Sequence, residues 1–106
     1  MTKETAVKEY LPMTETMFYI LLALCEPRHG YGVFLHVQEL TKGRIKLGAG
    51  TIYNSLSRLD RDGLIALHTQ TERRKLYAIQ PAGVAVLKAE LQRMDELIIN
   101  GKKSVK

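Results

Sequence analysis

The sequence has almost no cysteine and no long hydrophobic run. Cys25 is the only cysteine among 106 residues, so the chain cannot form an intramolecular disulfide. The longest apolar run, Met17 to Cys25, has nine residues, whereas a membrane-spanning helix needs about twenty. The first nine residues include four charged side chains and no apolar segment typical of a secretory signal. We therefore expect a cytoplasmic protein with no disulfide framework and no membrane partner.

The sequence also lacks the residue sets that carry catalysis or metal binding. One cysteine and histidines at positions 29, 36 and 68 do not have the spacing of a metal site. No nucleophile, base and orienting acid can be assembled from the remaining residues. The Gly48-Ala49-Gly50 segment lacks the preceding strand, third glycine and later acidic residue of a dinucleotide-binding fingerprint. We predict no catalytic residues, no metal and no cofactor, and interpret this segment as a tight entry into a helix.

Positive charge is concentrated in the middle third of the chain. The formal net charge is +5, and residues 42–75 alone carry eight basic and three acidic side chains, also a net +5. Residues 1–41 have a net charge of −2 and residues 76–106 of +2. A basic stretch between two weakly charged ones is typical of a surface that binds a polyanion such as double-stranded DNA. Small domains are also often basic without such a role, so charge alone leaves both interpretations open.

Apolar spacing predicts a mostly α-helical fold with a small β-hairpin. Residues 1–12 form an arm or a short helix, after which Thr14 is a helix N-cap and Pro27 a helix stop. The predicted helices then span residues 14–27, about 29–41, about 49–62 and about 81–100, and the predicted strands span 64–69 and 76–79. The predicted buried faces of the first three are Met17, Ile20, Leu21 and Leu24; Val33, Val37 and Leu40; and Ile52, Leu56 and Leu59.

The third of these helices has an unusual outer face. Its outer side is predicted to carry short polar and cationic side chains, where a solvated helix more usually carries glutamate and lysine. A helix that reads base edges in the DNA major groove needs such hydrogen-bonding groups. The residues assigned to this face are Thr51, Asn54, Ser55, Arg58 and Arg61.

The last predicted helix carries an apolar seam that needs a partner surface. Its apolar residues recur at intervals of three and four, as in a coiled coil, and an isolated helix of this length is only marginally stable. We favour a homodimer in which residues 81–106 form a dimerisation helix and a basic tail. The alternative is that the helix folds back on its own domain. The predicted interface residues are Val84, Leu87, Leu91, Met94, Leu97 and Ile98.

The predicted order of elements is two helices, a reading helix and a two-stranded wing. This order predicts a winged helix-turn-helix domain over residues 13–80. Five segments also occur in an order known from one family: YILLAL (19–24), EPRHGYG (26–32), LGAGTIY (47–53), LDRDGLI (59–65) and ERRKLY (72–77). Through them, residues 10–85 resemble the PadR family of bacterial transcriptional regulators. The C-terminal part resembles the small members of that family, which have a single C-terminal dimerisation helix.

The resemblance implies a homodimeric repressor that binds an inverted-repeat operator and is often released by a small molecule. It places Thr51, Tyr53, Asn54 and Arg58 on the recognition helix, where the Tyr53 hydroxyl reaches a phosphate, and it places residues 73–75 on the wing. With the residues assigned above, the predicted DNA-binding set is Lys46, Thr51, Tyr53, Asn54, Ser55, Arg58, Arg73, Arg74 and Lys75.

A small aromatic or hydrophobic effector is expected at the dimer interface. The residues assigned to its pocket are Phe18, Met94, Leu97 and Ile98. Helical spacing makes plain core packing the default role of the aromatic residues Phe18, Tyr19, Tyr31 and Phe34. The alternative function is a winged-helix adaptor that binds another protein and has no specific affinity for DNA.

Overall fold

The computed structural model describes residues 1–106 and consists of five helices and one antiparallel hairpin. The helices are α1 (Lys3–Tyr10), α2 (Glu15–Ala23), α3 (Gly30–Leu40), α4 (Ala49–Arg61) and α5 (Pro81–Ser104), and the strands are β1 (Ile65–Gln70) and β2 (Lys75–Ile79). The predicted winged helix-turn-helix order and the long C-terminal helix are confirmed. None of the helices is both long enough and apolar enough to span a membrane.

The helix starts follow from side-chain caps that the sequence provides. The Thr14 hydroxyl accepts a hydrogen bond from the Met17 amide at 3.1 Å, so the predicted N-cap of α2 is confirmed. His29 caps α3 in the same way, because its Nδ1 accepts a hydrogen bond from the Gly32 amide at 3.1 Å. Each cap satisfies one of the amides that a first helical turn leaves unpaired.

The wing is attached to the body of the domain by backbone hydrogen bonds. Ile65 on β1 lies opposite Ile79 on β2, and the register shifts at a bulge between Leu67 and Thr69. The backbones of Arg28 and Tyr77 exchange two hydrogen bonds, of 3.0 and 2.9 Å. This pairing ties the hairpin to the segment just before α3, so the wing and the start of α3 lie side by side.

One hydrophobic core joins all of these elements. It includes residues from α1 and α5 as well as from the winged helix: Ala6, Tyr10, Ile20, Leu21, Ala23, Leu24, Val33, Val37, Leu47, Ile52, Leu56, Leu59, Leu64, Ile65, Ala82, Val86 and Leu87. Leu40, which we predicted to be buried, is 48% exposed. It is the last residue of α3, and the chain turns away from the core at Gly43, whose φ is +79°.

Within residues 1–12, Lys3–Tyr10 form α1, which packs against α5. Ala6 and Tyr10 of α1 are buried, and so is Leu87 of α5, at 5% exposure. The assignment of Leu87 to the dimer interface is therefore wrong, and the alternative of folding back holds for the first half of α5. The spacing of the seam showed that it needs a partner surface, but it did not show that α1 is that surface.

The second half of α5 is exposed. Its large apolar side chains at Leu97, Ile98 and Ile99 are 52 to 55% exposed, and Leu91, just before it, is 48% exposed. The helix continues past the predicted end at Asn100, through Gly101, to Ser104. Lysines 102 and 103 lie in its last turn, where cations interact favourably with the helix dipole. What we predicted to be a basic tail is therefore largely the end of α5.

Candidate nucleic-acid interface

The candidate recognition helix, α4, has one apolar face and one polar face. Ile52, Leu56 and Leu59 are buried in the core, as predicted. Ser55 is also buried, at 9% exposure, so its assignment to the outer face is wrong. It follows Ile52 by three residues and precedes Leu59 by four, and this spacing places it on the inner face.

The outer face of α4 is polar and basic. Its exposed residues include Thr51, Tyr53, Asn54, Ser57, Arg58 and Arg61. Ser57 was missed by the sequence analysis, although its position three residues after Asn54 and four before Arg61 would have placed it there. At the start of the helix Gly48 provides no side-chain cap, and a Cβ atom at Gly48 or Gly50 would meet no other residue within 4 Å. The first turn of α4 is therefore open to an approaching ligand.

A cleft of about 560 Å³ lies between α4, the start of α3 and the wing. Its lining includes Tyr53 and Ser57 from α4, Tyr31 from α3, and Arg73, Arg74 and Lys75 from the wing. Glu72 is the only acidic residue among the residues that line it. The fold thus brings the basic part of the wing and one flank of the recognition helix to the same concave surface.

His29 and Arg74 are in contact in the lining of this cleft. The Arg74 Nη1 atom lies 2.7 Å from His29 Nε2. His29 already accepts a hydrogen bond at Nδ1, and a neutral imidazole that accepts at one nitrogen carries its proton on the other. A neutral His29 ring can therefore accept a hydrogen bond from the Gly32 amide or from Arg74, but not from both.

Arg58 lies on the flank of α4 that faces α1. Its guanidinium is stacked 4.5 Å from the centroid of the Tyr10 ring, and its Nε is 4.0 Å from Asp62 Oδ2. Tyr10 in turn donates a 2.7 Å hydrogen bond to Asp62, which also accepts one from Arg61 at 3.3 Å. The hydrogen bond from Tyr10 and the nearby arginines lower the pKa of Asp62. Burial, followed by the hydrogen bond to Asp62, raises the pKa of Tyr10.

The remaining predicted DNA-binding residues lie outside the cleft. Lys46 is exposed in the loop before α4, beside Lys42 and the end of α3. Thr51 is exposed two turns before Arg58 on the same flank of α4, away from the wing. The predicted set is therefore distributed over a broad surface centred on α4, with the wing at one side and Arg58 at the other.

The residues predicted to form an effector pocket do not line the cleft beside the wing. Phe18 and Met94 are half-buried, whereas Leu97 and Ile98 are exposed. Phe18, Tyr19 and Phe34 pack against the core, as expected from their spacing. Tyr31 does not, because it is 60% exposed and stacks on Phe34 with ring centroids 5.9 Å apart. Tyr31 borders a mostly apolar hollow of about 290 Å³ between α3 and α4.

Comparisons with known proteins agree with this arrangement. The chain is 33% identical over 70 residues to the transcriptional regulator Rv3488 of Mycobacterium tuberculosis, covering 63% of this chain and 64% of that protein. It spans between 24 and 64% of the length of the curated relatives that it matches. Solved structures of similar fold include a transcriptional regulator from Clostridium thermocellum, with a TM-score of 0.72 and 21% identity over 96% of this chain and 99% of that one.

A PadR-like transcription factor from Bacteroides fragilis is also similar, with a TM-score of 0.70 and 24% identity over 85% of this chain and 89% of that one. At such identities the structural likeness shows the shared fold. A family model described as the transcriptional regulator PadR-like family matches residues 19–89, about two-thirds of the chain. The chain belongs to the PadR-like family of transcriptional regulators.

Proposed function

We propose that this protein is a homodimeric repressor that binds an inverted-repeat operator in double-stranded DNA. The observation that carries the proposal is the joint surface of α4 and the wing, on which polar and cationic side chains surround a cleft with one acidic residue. Such a surface matches the negative charge of the DNA backbone and offers hydrogen-bonding groups for base edges.

The residues of this surface divide between two kinds of contact. Asn54, at the centre of the outer face of α4, reads base edges together with Thr51. Arg73, Arg74 and Lys75 on the wing contact phosphates, as do Lys46 and the Tyr53 hydroxyl, because these groups are exposed around the reading helix.

The exposed half of α5 supports the dimer. Four large apolar side chains on one short helical segment form a surface that a second copy of the chain would cover. A two-fold axis through this segment would relate two copies of α4, whose spacing must match about one DNA turn, near 34 Å. The effector, a small aromatic or hydrophobic molecule, would bind at this interface, in a pocket formed by Phe18, Met94, Leu97 and Ile98.

The same exposed helix would also suit a heterologous protein partner, which is the basis of the adaptor alternative. An adaptor would be monomeric and would have little affinity for DNA. A repressor needs the wing arginines to bind DNA, whereas an adaptor does not need them for its activity. Replacing these arginines therefore distinguishes the two functions.

The test is the salt dependence of binding to a random-sequence duplex. Replacing Arg73 and Arg74 by alanine removes two phosphate contacts, so the slope of log K against log salt should become shallower by up to about 1.8. Fluorescence anisotropy at several salt concentrations measures this slope. The control replaces Lys102 and Lys103, two exposed basic residues at the end of α5, by alanine. Equal slopes for the wild type and the wing variant would contradict the proposed role of the wing.

A further inference from the structure

The guanidinium of Arg58 is confined by residues that do not belong to the DNA-facing surface. Tyr10, the last residue of α1, is 5% exposed and its ring lies under the guanidinium at 4.5 Å. Asp62, just after α4, holds the Tyr10 hydroxyl at 2.7 Å and lies 4.0 Å from Arg58 Nε. The ring is thus fixed by the core on one side and by a carboxylate on the other.

Arg58 nevertheless remains accessible from outside. Its side chain is 46% exposed, so the guanidinium can stack on Tyr10 and still present N–H groups to a ligand. Arg61, one turn further on, is 71% exposed and has only its contact with Asp62. An arginine that is already confined loses less side-chain entropy when it binds than a freely moving one does.

We propose that Tyr10 and Asp62 position Arg58 for its contact with DNA, so that α1 takes part in DNA recognition without touching the DNA. This inference rests on the proposed DNA-binding function. Tyr10 is a positioning residue. Its ring supports the guanidinium, and its hydroxyl fixes the ring relative to Asp62. Because α1 also packs along α5, the position of Arg58 depends on how α5 sits against the domain.

The experiment is a double-mutant cycle on DNA affinity with Tyr10→Phe and Arg58→Ala. The probe is a duplex from upstream of the gene that encodes this chain, titrated by fluorescence anisotropy. Phenylalanine keeps the ring and its packing and removes only the hydroxyl. Tyr10→Phe should weaken binding about threefold to tenfold when Arg58 is present and should have no effect when Arg58 is replaced. The salt slope should be unchanged by Tyr10→Phe, because the charge of Arg58 is retained.

Tyr19→Phe is the matched control, since Tyr19 is a half-buried tyrosine of α2 that packs against the core. It should leave binding unchanged in both backgrounds. An equal loss for Tyr10→Phe with and without Arg58, or no loss at all, would overturn the inference and leave Tyr10 a residue of the core only. If the wild type binds neither this duplex nor random DNA, the proposed function fails as well. If the protein binds DNA but the cycle shows no coupling between Tyr10 and Arg58, only the positioning role is overturned.

Discussion

At the scale of single residues, the absence of a side chain at Gly83 allows α5 to approach the wing closely. A Cβ atom at Gly83 would lie 2.4 Å from the Leu64 carbonyl oxygen and 2.7 Å from Ile79 Cγ1. Neither the Leu64 backbone nor the half-buried Ile79 side chain, which packs against the core, can move away without disturbing the core. At Gly101 of the same helix, an added Cβ would meet nothing within 4 Å.

Gly83→Ala should therefore destabilise the protein by about 1–3 kcal/mol, as overpacked core substitutions do. Gly101→Ala should be neutral or stabilise it by up to about 1 kcal/mol, because alanine is the better helix former. Urea unfolding of both variants measures the free energies of unfolding. A Gly83→Ala variant as stable as the wild type would contradict the close approach of α5 to Leu64.

Asp62 should make stability depend on pH in the acidic range. Its pKa is lowered in the folded state by the hydrogen bond from Tyr10, so the ionised carboxylate stabilises the fold. This contribution is complete above the pKa of the unfolded chain, about 4, and is lost as the pH falls through the lower folded value.

Asp62→Asn should lower the free energy of unfolding by about 1 kcal/mol at pH 7, and the difference from the wild type should disappear at strongly acidic pH. Thermal unfolding between neutral and acidic pH measures both effects. The control is Asp60→Asn, since Asp60 is exposed on α4 and its carboxylate makes no hydrogen bond or ion pair. A difference that persists at acidic pH would show that the carboxylate charge is not responsible.

At the scale of elements, the proposed function assigns base reading to Asn54 and Thr51 of α4 and phosphate contacts mainly to the wing. The amide of Asn54 can donate and accept at one base, as an adenine requires. Asn54→Ala should weaken operator binding about 10- to 100-fold, equivalent to about 1–3 kcal/mol, and should leave binding to random DNA unchanged. Competition between the operator and a shuffled duplex measures the ratio. Gln92→Ala, at an exposed polar residue of α5, is the control. Equal losses on both duplexes would instead indicate that Asn54 contacts the DNA backbone.

The elements were largely predictable from the sequence because caps and apolar spacing are local signals. Thr14 identified the start of α2, although the helix ends at Ala23, before the predicted stop at Pro27. Ile52, Leu56 and Leu59 identified the inner face of α4. The interaction of Arg58 with Tyr10 was not predictable, because 48 residues separate them and no local pattern links them. The cleft between α4 and the wing depends in the same way on long-range backbone pairing.

At the scale of the whole molecule, α5 is buried to different extents along its length. Its first half completes the core of its own chain, and its second half leaves Leu97 and Ile98 more than half exposed. The sequence presented one continuous seam, and a seam does not distinguish an intramolecular partner such as α1 from a second subunit. The proposed dimer therefore rests on the exposed half alone.

The double substitution Leu97→Glu and Ile98→Glu should convert the protein from a dimer to a monomer of 12.0 kDa. Operator binding should weaken about 100-fold or more, because the two half-sites would no longer be bound together. Sedimentation equilibrium measures the mass. The control is Leu40→Glu, which changes a leucine of similar exposure on α3 and should remain dimeric. A wild type that is already monomeric would contradict the dimer.

The central claim, that the chain is a sequence-specific DNA-binding regulator, is tested most directly by one titration. The protein is titrated onto DNA from upstream of its own gene and onto a shuffled duplex, with fluorescence anisotropy recorded at several salt concentrations. We expect affinity for the upstream DNA to exceed that for the control by about 10³-fold or more, with a steep salt dependence. No binding to either duplex would contradict the claim and favour the adaptor.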